Sequence, residues 1–112
     1  MSNNRYEIYQ ISKDCPDRHY IVFESLESLA HFGYTFDSKN YIKVYEGILE
    51  VGVTLDDLFE VFNIRRPSDF KGHSLSVSDV VVLKIDDVRR AFFCDSFGWT
   101  EVPQFLGKEE VA

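Results

Sequence analysis

The stretch that most constrains the fold is "VVVLKIDDVRRAFFCDS", residues 80 to 96. Its first six residues form an apolar run that is too short for a typical helix and rich in β-branched valine, which packs best on a pleated surface. Asp86 and Asp87 supply a tight turn, and the residues from Val88 onward form a second run of strand-forming residues. Two such runs joined by two turn residues read as a β-hairpin. A chain whose most apolar segment is half of a hairpin must build a sheet around it.

The flanking segments supply the rest of that sheet and something to cover it. "RYEIYQI", residues 5 to 11, is rich in Tyr and Ile and reads as a strand. "YIVFE", residues 20 to 24, reads as a short extended piece, and "YIKVYEGIL", residues 41 to 49, as a further strand. Ser25 can cap a short helix carrying Leu26, Leu29 and Ala30, which Gly33 closes in the left-handed conformation that glycine tolerates. Thr54 caps a second helix with Asp56 and Asp57 in its first turn, where the helix dipole favours acids. Leu55, Leu58, Phe59 and Phe62 form the apolar stripe of that helix. A last short strand lies around Trp99 to Val102, between Gly98 and Pro103. The expected architecture is a single α+β domain over residues 1 to 112, with a mostly antiparallel sheet of about five to six strands and two short helices. Residues 1 to 4 and 107 to 112 are expected to fray.

Bulk properties narrow the class. At 112 residues, with 45% hydrophobic side chains, the chain suits one core and not two. The polar opening "MSNNR" has no apolar leader, and no stretch approaches the length of a membrane span, so a cytoplasmic protein is expected. Cys15 and Cys94 lie far apart with no metal-binding spacing and read as reduced thiols. A net charge of −7 repels phosphates, so direct nucleic-acid binding is disfavoured and a basic partner surface favoured.

The segment "GHSLSVSDVVVL", residues 72 to 83, gathers His73, Ser74, Ser76, Ser78 and Asp79 just ahead of the valines. A serine nucleophile would need a base and an oxyanion hole, often on a Gly-x-Ser-x-Gly elbow, and the second glycine of that elbow is missing here. Strict alternation from Ser74 to Ser78 reads instead as the half-buried start of a strand, with Asp79 as a bend. A thiol enzyme would use Cys94 as nucleophile, His73 as base and Asp79 or Asp95 as orienter. Against that, Cys94 shares strand parity with Val88 and Phe92, which predicts a buried, inert thiol. His19, His31 and His73 show no metal-site spacing, and the six glycines build no phosphate loop, so neither a metal nor a cofactor is expected. Asp56, Asp57 and Glu60, with Glu46 and Glu50 before them, are the candidate acidic face, for which an ordinary solvated surface is the alternative reading. Arg65, Arg66, Lys71, Arg89 and Arg90 form basic spots too small for a nucleic-acid groove.

"HSLSVSDVVVL", followed by "FFCDSFGWTEVPQF", resembles the YodL-like domain, as do "GVTLDDLFEVFNIRRPSDFKGHSLSVSDVV" and the amino-terminal "YEIYQI". Phe92, Phe93 and Trp99 depart from the expected pattern but keep its aromatic character. This small domain occurs in bacterial proteins, often on conjugative and other mobile elements, and the resemblance brings no catalytic residues with it. Mobile elements must survive restriction and CRISPR systems, so the setting and the acidic charge together imply a non-catalytic inhibitor of a host defence nuclease. It would bind a basic protein surface through Glu46, Glu50, Asp56, Asp57 and Glu60. The alternatives are an accessory module for transfer or regulation docking through His73, Phe97 and Trp99, and the Cys94–His73 enzyme.

Overall fold

The computed structural model describes residues 4–70 and 72–106. Five strands form one antiparallel sheet: β1 (Arg5–Ile11), β2 (Tyr41–Ile48), β3 (Val80–Ile85), β4 (Val88–Cys94) and β5 (Trp99–Glu101), in the order β2-β1-β3-β4-β5. Asp86 and Asp87 both take positive φ, 52° and 67°, as a two-residue turn between β3 and β4 requires. Helices α1 (Arg18–Ile21) and α2 (Leu26–His31) lie between β1 and β2, and α3 (Leu55–Ile64) lies between β2 and β3. Short 3₁₀ turns cover Ser38–Asn40 and Pro103–Phe105.

The central strand explains the apolar run. Val80, Val81 and Val82 are each 1% exposed or less because β3 is covered on both faces. Val80 and Val82 pack with Ile11, Ala91, Phe93 and Leu29 beneath α1 and α2. Val81 packs with Ile8, Leu58, Phe62 and Phe70 beneath α3. Register assigns the sides: Tyr9 opposes Val80 and Ile8 opposes Val81. In β2 one extra residue, Val44, sits between the partners of Ile8 and Tyr9, a β-bulge that bends this edge strand.

α3 forms as its residues dictate. Thr54 Oγ1 accepts the Asp57 N–H at 3.2 Å, and the Asp57 carboxylate accepts the Thr54 N–H at 2.8 Å, closing a capping box. Ser25 likewise caps α2, and Gly33, at φ +81°, follows it.

Two extended readings fail. In "YIVFE" the chain makes a helical turn, with the Asp17 carbonyl accepting N–H groups from Tyr20 and Ile21. Only Ile21 of these residues is buried, so the core claims a single side chain and a strand there would add nothing. Residues 73–79 are irregular, and β3 starts at Val80. Of the ends expected to fray, 1–3 and 107–112 lie outside the described residues, as does Lys71, whereas Asn4 is tied down: its carbonyl accepts the Leu49 N–H at 2.9 Å.

Candidate functional site

The irregular path of residues 73–79 is imposed by Asp79. Its Oδ2 accepts the Ser76 N–H at 2.8 Å, while the Asp79 N–H donates to the Ser76 carbonyl at 3.0 Å. This tight local turn competes with the strand that the Ser-x-Ser-x-Ser alternation predicts. Ser78 therefore does not face solvent: it is fully buried, at φ +86°. Its N–H donates to the Cys94 carbonyl, and the Cys94 N–H donates to the Asp79 carbonyl, so the backbone stays anchored to β4. Tyr41 donates its hydroxyl to the Ser78 carbonyl at 2.6 Å, and Ser78 Oγ accepts the Phe23 N–H at 3.0 Å. Phe23 is itself at φ +68° and half-exposed. Two non-glycine residues in the left-handed region, bonded to each other, mark a place where surrounding structure overrides local preference.

Gln10 completes the junction. It is 3% exposed and lies on β1 next to the buried Ile11. Its amide donates to the His73 carbonyl at 2.8 Å and to Asp79 Oδ2 at 3.1 Å, and its Oε1 accepts the His73 N–H at 3.2 Å. Neighbouring Gly72 is required: a Cβ there would lie 2.3 Å from Gln10 Oε1. His73 Nδ1 lies 2.7 Å from the Ser74 carbonyl, a separation that puts the ring proton on Nδ1. Nε2 then faces Asp79 Oδ1 at 3.8 Å, too far for a hydrogen bond, and both atoms are buried and unpartnered. Burial pushes the Asp79 carboxyl up to about 8, against the pull of its bonds from Ser76 and Gln10.

Gln10 is the residue that sequence reasoning missed. The available signal was a lone amide among apolar and aromatic residues in "YEIYQI", sharing strand parity with Ile8. Cys94 is buried, yet its parity partner Val88 is 59% exposed. Burial, helped by Asp79, Asp95 and Asp56, pushes the thiol up to about 12, opposite to the shift that a nucleophilic thiolate needs. The His73 ring is held by Ser74 and Phe23. Among the described residues, no cluster of three or more His, Cys, Asp or Glu is arranged to hold a metal, and no helix is long and apolar enough to cross a membrane.

The acidic candidates separate. Glu46 opposes Glu7, which shares its face of the sheet with Val82, away from α3. There it is paired with Arg5 at 3.0 Å and Lys43 at 2.6 Å, and these cations hold its carboxyl below the usual range. Glu50, Asp56, Asp57 and Glu60 are exposed around α3, with Asp57 engaged in the cap. Asp56 accepts the Trp99 indole N–H at 3.2 Å, and Trp99 meets Phe59 edge-on with centroids 6.4 Å apart. This brings an acidic candidate and an aromatic one together. Phe97, two residues before Trp99, is 98% exposed. The turn beneath it is tightly built: the Asp95 N–H donates to the Gly98 carbonyl, Thr100 Oγ1 donates to Asp95 Oδ2, and Gly98 takes φ +80°.

The family model for the YodL-like domain matches residues 5–105, from the start of β1 to the last 3₁₀ turn. The chain belongs to the YodL-like domain family. No curated protein and no solved structure matches it. The match takes in both features of this YodL-like domain: the Gln10–His73–Asp79 junction and the Phe97 turn.

Proposed function

We propose that this YodL-like domain is a non-catalytic protein-binding domain, docking through the face that carries Phe97, Trp99, Phe59 and the α3 acids. The observation that carries this reading is Phe97, 98% exposed on a turn braced by Asp95 and Gly98. An aromatic side chain held out on a rigid turn gives up little entropy on binding, and such residues anchor interfaces. Asp56 and Glu60, one helical turn apart and flanking Phe59, supply the charge that selects a basic partner. The partner class we favour is a host defence nuclease, whose basic nucleic-acid channel complements a chain of net charge −7. An accessory module for transfer or regulation would use the same aromatics with less dependence on charge.

Affinity capture from the host cell at low and high salt, followed by a cleavage assay on any captured nuclease, tests the proposal. Capture should be lost in Phe97→Ala and in Glu60→Lys, both at exposed positions, while thermal stability stays unchanged. Capture that resists salt but still requires Phe97 would favour the accessory module. Undiminished capture by both variants would rule out this face.

A further inference from the structure

A second site is visible away from the Phe97 face. A groove of about 840 Å³ opens where the end of β1, the loop that follows it, α1, β2 and the Gly72–His73 segment meet. Its volume is that of a small-molecule pocket. The groove wall includes Lys13 and Arg18, Ile42 and Val44 as apolar surface, and Gln10 and His73.

Three buried side-chain polar atoms among the described residues lack a hydrogen-bond partner: Arg18 Nε, His73 Nε2 and Asp79 Oδ1. Two of the three residues line this groove, and the third stands 3.8 Å from His73. His73 Nε2 and Asp79 Oδ1 face each other, which leaves Arg18 Nε as the orphan at the groove; buried polar groups are almost always satisfied, so it points to a missing partner. Arg18 is the strongest sign: it is half-buried, and among the described residues no acidic side chain lies in ion-pair range of it. A guanidinium taken partly out of water without a carboxylate is costly unless an anion completes it. Lys43, which also lines the groove, is already committed to Glu46 and Glu7. Among the described residues of the wall, the free cations are therefore Lys13 and Arg18, with Asp14 the one carboxylate. The rest of the molecule is acidic, so this is a local inversion of charge.

We propose that this groove binds a small organic oxyanion, a phosphate or carboxylate with an apolar body. Arg18 and Lys13 hold the oxyanion, and the body lies against Ile42 and Val44. Gln10 is saturated by His73 and Asp79, so it shapes the inner wall without contributing a free donor.

The test is an NMR titration of the full chain with phenyl phosphate and, separately, with benzoate, following the backbone amides of Ser12, Ile42 and Gly72. Saturable shifts confined to the residues of the groove, these positions among them, are expected with at least one probe, and the tighter of the two identifies the preferred head group. Arg18→Gln should weaken binding at least about tenfold, because it removes both the charge and the planar fork. Arg18→Lys, which keeps the charge alone, should fall between it and the parent and guards against a folding artefact. Lys84→Gln, on the far end of β3, should leave binding unchanged. Shifts scattered over the surface, no saturation at about 10 mM probe, or equal binding by Arg18→Gln would each overturn the proposal.

Discussion

At the scale of single residues, Asp79 has the greatest leverage. Its carboxyl titrates near 8 in the folded chain against an ordinary 3.8, so the folded state holds this proton more tightly than the unfolded state does. Below pH 4 both states are protonated; between about 4 and 8 only the unfolded chain gains by ionising, and stability falls. Asp79→Asn should flatten that decline by an amount on the order of a few kcal/mol, its amide still able to serve Ser76 and to donate toward His73. Denaturant titrations of both proteins at matched pH values check this, and parallel curves would contradict it. Cys94 follows from the same burial. Cys15, half-exposed, should alkylate in the native protein, whereas Cys94 should react only on unfolding, as mass spectrometry of a time course would show.

At the scale of elements, the clearest case is α3, whose N-cap and the stripe positions Leu55, Leu58 and Phe62 were legible because they depend on neighbours within a few positions. Phe59 lies outside that core, exposed beside Trp99. Thr54→Ala removes one half of the capping box and should cost about 1 kcal/mol, measurable as a shifted denaturation midpoint with unchanged slope. The β3–β4 hairpin was legible for the same reason, since two aspartates of positive φ are a local device. Residues 73–79 were not. Their alternation is a true strand signal, overruled by hydrogen bonds from Asp79 to Ser76 and from Gln10, a residue 69 positions away from Asp79. "YIVFE" failed because burial reaches only Ile21 among its residues, a fact set by the packing of α1 on the sheet.

At the scale of the whole molecule, one sheet serves two cores. β3 contributes Val80 and Val82 to one and Val81 to the other, so neither can melt while the other persists. Phe62 is fully buried against Tyr6, Tyr45 and Phe70 on the α3 side. Phe62→Ala should cost about 3–5 kcal/mol. Trp99 fluorescence and far-UV circular dichroism should nevertheless keep a common midpoint, since the shared strand couples both layers. Separate midpoints would show the two cores to be independent.

The α+β class, the central hairpin, two helix caps and the family could all be read from the residues, because periodicity, turn chemistry and motif are written over short spans. Which polar groups share an interior was settled by the packing of the folded chain. It carried Glu46 to the face of the sheet away from α3, set Asp56 against Trp99, and brought Gln10 and Asp79 around His73. Those pairings depend on strand register and on which side of the sheet each helix covers, and both are long-range consequences of burying two apolar faces at once.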